Sequence, residues 1–427
     1  PMPVEWGGPA PAGAAPGDLD AGFSSDGKVT TDVGSVDAGR AVAIQSDGKI
    51  VVAGYALVAG TYVMAVLRYD ADGSLDASFS GDGVQSVDVG SGHDLAYSLA
   101  LQPDGKIVLG GVTGLGGANS DMAIVRLTSS GELDTTFSTD GIASVHLGSG
   151  DDVVADIAVD ANGRIVLAGY GSNGSDFDMA VVRLTSAGAL DTSFSGDGKV
   201  LVPIGAGADY ANAVAIASDG DIVVAGSSHN GTDDDVAVAR LTSAGALDTA
   251  FDSDGKATVA VGSAADSARA VAIAPDGDVV VAGTSHNGSN EDMAVVRLTA
   301  AGALDTTFSG DGKVAVAVGA GDDEGRAMAI LGDGRIVVVG ESHDGTADDV
   351  AVVRLTSAGA LDTSFSGDGK ATMAVGSGAD VAHAVAVTSA WRLIVAGSST
   401  GSDDDVMVVA VDATAVPAAP TGLSATA

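Results

Sequence analysis

Apolar residues along this chain fall into short runs that are separated by polar and glycine-rich segments. One stretch shows the pattern clearly, with runs at Ala213–Ile216, Ile222–Gly226, Val236–Leu241 and Lys256–Val261. An Asp-Gly pair between the first two runs is a strong signal for a tight hairpin turn. No part of the chain shows the periodicity of an amphipathic helix. The pattern therefore predicts four short antiparallel β-strands, named a to d in chain order.

This stretch is one copy of a unit that recurs along most of the chain. The motif Leu-Asp-x-x-Phe recurs at intervals of 56 to 58 residues, beginning at Leu19, Leu75, Leu133, Leu190, Leu247, Leu304 and Leu361. A fixed period of this length indicates a repeat architecture. Several strands are apolar on both faces, as in sheets that are covered on both sides. Seven units of four strands predict an all-β, seven-bladed β-propeller. A parallel β-helix is the alternative, although its coils are shorter and no capping repeat is evident.

The two ends of the array predict how the ring closes. The chain begins with a lone d strand, Lys28–Val33, and ends with a, b and c strands at Ala384–Val387, Leu393–Gly397 and Val406–Val411. The orphan d strand can complete the seventh blade, which removes exposed sheet edges. We therefore expect a propeller over residues 19–412, an N-terminal arm over 1–18 and a linker over 413–427.

The repeated motifs resemble those of a known family. The run Leu-Asp-x-x-Phe-x-x-Asp-Gly-Lys-Val, followed by Ala-Val-Ala-Ile-x-x-Asp-Gly-Lys-Ile-Val-Val-Ala-Gly, resembles the bacterial delta-60 repeat over about residues 19 to 412. That resemblance implies an extracellular or cell-surface location and carries no catalytic residues. Residues 416–426 resemble the first strand of a fibronectin type III domain, which implies a further surface module.

Composition narrows the range of partners. The chain has 19 basic and 57 acidic residues, a net charge of −38, so nucleic acid is excluded as a partner because phosphate contacts need clustered Lys and Arg. It lacks cysteine, and no apolar run is long enough for a membrane helix. We expect a monomeric domain that does not insert into membranes and whose partner is a protein, a glycan or a neighbouring domain.

An aspartate stands four residues before the apolar run of every a strand. If the a strands line the central channel, these residues form a carboxylate ring, here called the Asp ring. A hard cation such as calcium prefers oxygen ligands of this kind. The alternative is that each carboxylate accepts backbone N–H bonds where the chain crosses between blades. The ring consists of Asp37, Asp94, Asp152, Asp209, Asp266, Asp323 and Asp380.

The b–c loops share one face with that ring and supply the other candidate binding residues. Most are acidic, which predicts an electronegative face and either weak calcium binding or a solvated surface. The first loop is apolar instead, which marks either a contact site or a surface that packs on the N-terminal arm. Three histidines at equivalent loop positions, His229, His286 and His343, are interpreted as loop copies. The candidate binding residues are Asp233, Asp234, Asp235, Asp403, Asp404, Asp405, Tyr55, Leu57, Val58 and Tyr62.

An arginine at the end of strand c precedes the Leu-Asp pair by a constant step in six units. We interpret these pairs as partly buried charge-assisted bonds that fix the c–d loop. In the last unit Ala410 replaces the arginine, its aspartate would be Asp20, and Ala390-Trp391 stands where Asp-Gly should turn. The six pairs are Arg68/Asp76, Arg126/Asp134, Arg183/Asp191, Arg240/Asp248, Arg297/Asp305 and Arg354/Asp362.

The sequence favours a non-catalytic role. Catalysis needs asymmetry, such as two carboxylates with separated pKa values, whereas these aspartates recur in every unit. No nucleophile elbow, metalloprotease motif or phosphate-binding loop is present. The favoured hypothesis is a structural, adhesion or ligand-binding module of a bacterial surface or secreted protein, with calcium as its candidate cation. The alternative is a propeller hydrolase or lyase that acts on a polysaccharide.

Overall fold

Short β-strands form the whole architecture of this chain. The computed structural model describes residues 15–117, 119–148, 150–401 and 403–414, and within them 28 strands form seven four-stranded antiparallel sheets. The a strands of successive sheets contact one another around a closed circle. The fold is a seven-bladed β-propeller, as predicted. None of the described residues forms a helix able to cross a bilayer.

Within each blade the strands follow the order a, b, c, d from the axis outward. The a strands are β2 (Asp37–Ile44), β6 (His93–Leu101), β10 (Asp152–Val159), β14 (Asp209–Ile216), β18 (Asp266–Ile273), β22 (Asp323–Ile330) and β26 (Asp380–Val387). The b strands are β3 (Ile50–Val58), β7 (Ile107–Leu115), β11 (Ile165–Ser172), β15 (Ile222–His229), β19 (Val279–His286), β23 (Ile336–His343) and β27 (Arg392–Thr400).

The outer two strands of each blade are shorter on average than the inner two. The c strands are β4 (Thr61–Tyr69), β8 (Asp121–Leu127), β12 (Phe177–Leu184), β16 (Asp234–Leu241), β20 (Glu291–Leu298), β24 (Asp348–Leu355) and β28 (Asp404–Asp412). The d strands are β5 (Val84–Val87), β9 (Ile142–Val145), β13 (Lys199–Val202), β17 (Lys256–Val259), β21 (Lys313–Val316), β25 (Lys370–Met373) and β1 (Lys28–Thr31).

The ring closes through the N-terminal strand, as the sequence predicts. Strand β1 pairs antiparallel with β28, with Lys28 opposite Val409 and Thr31 opposite Val406. The residues just before β1 also bind blade seven, because Gly17 donates its N–H to the Asp412 carbonyl. Blade seven thus contains strands from both ends of the chain. Residues 1–14 and 415–427, which include the fibronectin-like tail, lie outside the described residues.

The a strands begin earlier than predicted and contain a β-bulge. In blade four the predicted run starts at Ala213, whereas β14 starts at Asp209 and its register with β15 shifts between Ala211 and Ala213. Asn212 is therefore left without a partner in the b strand. The same shift, three residues after the ring aspartate, occurs in all seven blades. The apolar run that the sequence shows is only the regular half of the strand.

The hydrophobic core lies between the blades. Each of seven buried clusters combines side chains of two neighbouring sheets, and most of these side chains are Val and Ala. Small and β-branched side chains allow the sheets to pack closely face to face. This arrangement accounts for the strands that are apolar on both faces.

The Leu-Asp-x-x-Phe motif links each blade to the next. In the blade three copy, Phe194 is fully buried beneath Gly245 of blade four, where an added Cβ would lie 3.0 Å from the ring. The Arg183 guanidinium lies 4.7 Å from the centre of that ring and donates from Nη1 to the carbonyl of Ser243, 2.5 Å away, in blade four. Its Nε donates to Asp191 Oδ2 over 2.8 Å. We call this arrangement the Phe–Arg interlock.

All six predicted Arg–Asp pairs form, with Nε to Oδ2 distances of 2.6 to 3.1 Å. In the last blade, where Ala410 replaces the arginine, a different residue supplies the cation. Asp20 forms an ion pair with Arg392, which follows Trp391. Trp391 adopts a positive φ of 63°, and its ring lies 5.6 Å from the Arg335 guanidinium.

Removing the closing strand tests the ring. We expect deletion of residues 1–32 to lower the midpoint of thermal unfolding and to cause self-association, because β28 then becomes an exposed sheet edge. Size-exclusion chromatography with light scattering and a thermal melt measure both effects. Deletion of residues 1–14 alone is the control and leaves β1 in place; equal behaviour of the two truncations would contradict the closure.

Removing one arginine tests the interlock. We expect Arg183→Ala to lower the free energy of unfolding by about 3 kcal/mol, because it leaves the buried Asp191 carboxylate without its closest cation. Arg164→Ala is the comparison: its side chain is 31% exposed, pairs with Asp160 and lies farther from Asp191, at 3.8 Å, so a loss below about 1 kcal/mol is expected. Urea denaturation compares the two variants, and similar losses would show that the interlock adds no stability.

Candidate functional site

The bulge residue of each a strand lies at the central channel, and together these residues line its mouth. With Val153 and Tyr170 they enclose a cavity of about 300 Å³. A bulge re-aims one side chain without interrupting the sheet on either side of it. The repetitive scaffold therefore presents seven independent side chains at one place, which we call the bulge ring. Its members are Arg40, Tyr97, Ala155, Asn212, Arg269, Arg326 and His383.

Two arginines of the bulge ring have no carboxylate partner among the described residues. Arg40 donates to the Tyr55 hydroxyl over 3.1 Å, and its guanidinium lies 5.4 Å from the centre of that ring. Its buried Nε has no hydrogen-bond partner in the described part of the chain. Arg269 is exposed in the mouth and forms neither a hydrogen bond nor an ion pair with any described residue. These two guanidinium groups keep donors available for a bound anion.

The third arginine of the bulge ring, Arg326, forms ion pairs with carboxylates of the protein itself. Arg326 Nε lies 2.6 Å from Glu341 Oε2, and its Nη2 lies 2.9 Å from Glu324 Oε2. Burial opposes the charge of Arg326, but its hydrogen bond to Glu341 and the charges of both glutamates raise its pKa. This ion pair fixes one side of the mouth and leaves Arg40 and Arg269 as the cations that a ligand can reach.

Aromatic side chains line the opposite side of the mouth. Tyr97 and Tyr170 border the cavity, and Tyr170 contacts Tyr210 edge to face with ring centres 5.0 Å apart. Tyr170 makes a similar contact with Phe177 at 5.3 Å. Tyr55 meets Tyr62 in the same way at 5.3 Å. The mouth is therefore asymmetric, with aromatic rings on blades one to four and charged groups on blades five, six and one.

His383 lies between two of the arginines. Its Nδ1 is 3.4 Å from Arg40 Nη1. Burial, together with the charges of Arg40 and Arg326, lowers the pKa of His383 well below its usual value of 6.5. The imidazole is therefore neutral at neutral pH and can accept a hydrogen bond.

The predicted Asp ring is present at the start of the a strands, and its members are fully buried. Each carboxylate accepts backbone N–H bonds from the preceding d–a linker; in blade four Asp209 Oδ2 accepts from Ile204 over 2.7 Å. These bonds match the backbone alternative set out above. Among the described residues, each of the two close groups of metal-ligating side chains contains a single ring member, Asp37 or Asp152. The ring aspartates do not gather into one site.

The acidic b–c loops are organised by local hydrogen bonds. Asn230 Nδ2 donates to Asp233 Oδ1 over 2.7 Å and to Asp235 Oδ2 over 2.8 Å, while His229 Nδ1 lies 2.8 Å from Asp234 Oδ1. In blade seven Thr400 Oγ1 donates to Asp404 Oδ1 over 2.7 Å.

The three loop histidines each bind within their own loop. His343 repeats the contact of His229 with Asp348, and His286 Nδ1 accepts from the Gly288 N–H. They do not form a common site, which agrees with their interpretation as loop copies.

The apolar first loop is a tight hairpin. Tyr55 contacts Arg40 at the mouth, and Tyr62 donates its N–H to His93 Nδ1 over 3.1 Å. Val58, near the tip, is 41% exposed. The predicted alternative, packing on the arm that carries Val4 and Trp6, concerns residues outside the described part of the chain.

Sequence comparison supports the repeat assignment. Six segments match a protein-family model described as "Domain of unknown function (DUF5122) beta-propeller", at residues 45–79, 102–137, 161–194, 217–251, 274–308 and 331–365. These repeats fit a repeat β-propeller family. No curated protein matches the chain.

Several solved structures show some similarity to this chain. Drosophila Semaphorin 2a is 9% identical, with a TM-score of 0.51 over 90% of this chain and 75% of that one. Sqt1 from Chaetomium thermophilum is 14% identical, with a TM-score of 0.47 over 93% and 87%. The polysaccharide lyase Uly1 is 11% identical, with a TM-score of 0.45 over 88% and 90%. At 9% identity the likeness to Semaphorin 2a concerns the propeller fold alone.

Sequence reasoning missed the bulge ring. A usable signal was present, because the position three residues after each ring aspartate changes in every unit except for repeated arginines. Three of only 19 basic residues stand there. In a repeat of this regularity, a variable position that collects rare cations indicates a site that differs from blade to blade.

The neutral state of His383 can be tested by titration. Because its folded-state pKa lies below the unfolded value of 6.5, the unfolded state binds more protons as the pH falls below 6.5, and this residue then lowers stability. NMR of the His383 imidazole should show no protonation near pH 6. His383→Gln should lose that part of the acid destabilisation, and a normal titration of His383 would contradict the buried geometry.

Proposed function

We propose that this propeller is a non-catalytic binding module whose mouth holds the acidic group of a saccharide, such as a uronate carboxylate or a sulfate ester. The observation that carries the proposal is the pair of arginines, Arg40 and Arg269, which face the cavity without a carboxylate partner among the described residues. Guanidinium groups form forked, charge-assisted hydrogen bonds with such oxyanions.

The electrostatics of the whole protein support an anionic ligand with a defined entry point. With a net charge of −38, the surface repels anions over most of its area. Cations that are held in a recessed mouth attract an acidic group only over a short range, since exposed charges are screened within about 10 Å at moderate salt. Binding of this kind selects a small acidic group that fits the cavity and disfavours a large polyanion lying across the face.

The aromatic side of the mouth supports a saccharide. Tyr97 and Tyr170 present flat apolar rings with hydroxyl groups at their edges, opposite the charged side. Sugars offer the complementary surface, with C–H faces that pack on rings and hydroxyls that bond to phenols. The cavity of about 300 Å³ is at the lower end of ligand pockets, so it would hold one or two sugar residues.

The non-catalytic role is part of the same proposal. Two carboxylates beside the mouth, Glu324 and Glu341, already bind Arg326. His383 and Tyr97 remain as the groups that a lyase would need, so the experiment must also detect cleavage. A secreted or cell-surface location in a bacterium, as the repeat resemblance implies, fits a glycan partner and remains a prediction.

Calorimetric titration with short uronate and sulfated oligosaccharides tests the proposal. We expect binding to the wild-type protein and a loss of affinity of roughly tenfold or more in Arg269→Ala, because one charge-assisted contact is removed. Neutral oligosaccharides of equal length should not bind. Lys313→Ala, which removes the same charge from an outer strand, is the matched control and should bind like the wild type.

Three outcomes would overturn the proposal. Equal binding by Arg269→Ala would place the ligand away from the mouth. Binding of acidic peptides without any acidic saccharide would change the class of partner. An ultraviolet signal from an unsaturated sugar, lost in His383→Ala, would make the protein a lyase.

A further inference from the structure

The junctions between neighbouring blades differ in the side chains that lie beside the ring aspartate. At each junction the c strand and the d strand of one blade run past their last paired residues towards the ring aspartate of the next blade. At the seam where the ring closes, Thr31 pairs with Val406, so the next residues outward are Asp32 and Asp405. The ring aspartate there is Asp37. Three carboxylates from three strands thus meet at one point, with oxygens within 4.8 Å of one another.

Only one other junction among the described residues brings together three side chains of metal-ligating type. Between blades two and three the equivalent residues are Asp121, His146 and Asp152, again within 4.8 Å. At the remaining five junctions one of the two positions beside the ring aspartate holds a residue that cannot bind a metal through its side chain. Those residues are Val63, Pro203, Ala260, Ala317 and Ala374.

The hydrogen bonds of the ring aspartate differ at the two junctions that bring together three metal-ligating side chains. Asp37 and Asp152 are fully buried, and the Oδ1 atom of each has no hydrogen-bond partner among the described residues. At four other junctions the same atom accepts from a glycine N–H, as in Asp266 with Gly262 at 3.1 Å. Asp94 Oδ1 accepts from the Thr113 hydroxyl over 2.6 Å. A buried carboxylate oxygen without a donor is costly, so its coincidence with the two complete ligand sets points to a ligand.

The seam is the stronger of the two junctions. Between blades two and three, His146 Nδ1 already lies 3.0 Å from Asp121 Oδ1, so a hydrogen bond can satisfy that pair. At the seam neither Asp32 nor Asp405 accepts a hydrogen bond from a described residue, and the three carboxylates repel one another. Asp32 is exposed and Asp405 half-buried, which leaves a path for an ion from solvent.

We propose that Asp32, Asp37 and Asp405 bind a hard divalent cation of the calcium type at the seam. Three carboxylates with oxygen donors and solvent access suit calcium, whose remaining positions would be filled by water. The ion would join the N-terminal strand, the last c strand and the first a strand. Its binding therefore stabilises the closed ring, and it would act independently of the ligand at the mouth.

The experiment uses the full chain after chelator treatment and dialysis. We expect calcium to bind once per chain with a Kd on the order of 0.1–1 mM, as in extracellular calcium modules. Saturating calcium should raise the midpoint of thermal unfolding by about 3 °C or more. Magnesium and sodium at equal ionic strength should raise it less. Calorimetry measures the stoichiometry and a thermal melt measures the shift.

Variants locate the site. Asp405→Asn and Asp32→Ala should each abolish the calcium-dependent shift; the second recreates the junction at Ala260, which this protein already folds with. Asp235→Asn, at the position equivalent to Asp405 beside Ala260, is the matched control and should keep the shift. Ala260→Asp should add a second bound ion.

Two results with the variants would overturn the proposal: a shift that persists in both seam variants, or one that is lost only in His146→Ala. The second result would place the ion between blades two and three. A wild-type protein with neither a shift nor bound calcium would also refute it.

Discussion

The Phe–Arg interlock is the contact on which the rest of this structure depends. A sheet of Val and Ala buries little area per residue, so close approach between blades must be enforced at defined points. Phe194 fills the space beneath a glycine of the next blade, while Arg183 bonds to its own loop and to the neighbour's backbone. The full arrangement forms in four of the seven blades, where it fixes the spacing to the next blade and hence helps to set the width of the channel. The position of every side chain at the mouth follows from that spacing.

The sequence predicts the scaffold well because repeated, short-range signals determine it. Apolar runs, Asp-Gly turns and the orphan strand at Lys28 determine blade count and closure through local rules. The Arg–Asp pairs are equally predictable, since a constant step along the chain places them on one loop. By contrast, the first residues of strand a include polar ones such as Asn212, which lies in a bulge and has no partner in strand b. The pattern of apolar residues therefore does not show where the strand begins. A bulge changes register without changing composition, so the pattern of apolar residues does not reveal it.

The site was harder to predict than the fold because it consists of residues that depart from the repeated, short-range signals. Conspicuous acidic residues, such as Asp209 and Asp233, proved to have local partners that account for their position. The groups that remain available, Arg40 and Arg269, are single residues in otherwise ordinary strands. Their importance lies in convergence from distant parts of the sequence, which only the closed ring creates. Repetition identifies what holds the blades together, and departures from repetition identify what the protein can recognise.

The bulges separate two tasks that most proteins combine in the same residues. A side chain extruded from the ladder takes no part in strand pairing, so Tyr97 and His383 occupy equivalent places without disturbing the sheets around them. Mutations at these seven places therefore leave the strand pairing unchanged, and each alters a different sector of one opening. Duplication of such a unit produces a rigid scaffold in which the bulge residues can change independently. A new binding specificity can therefore evolve by point substitution while the scaffold stays constant.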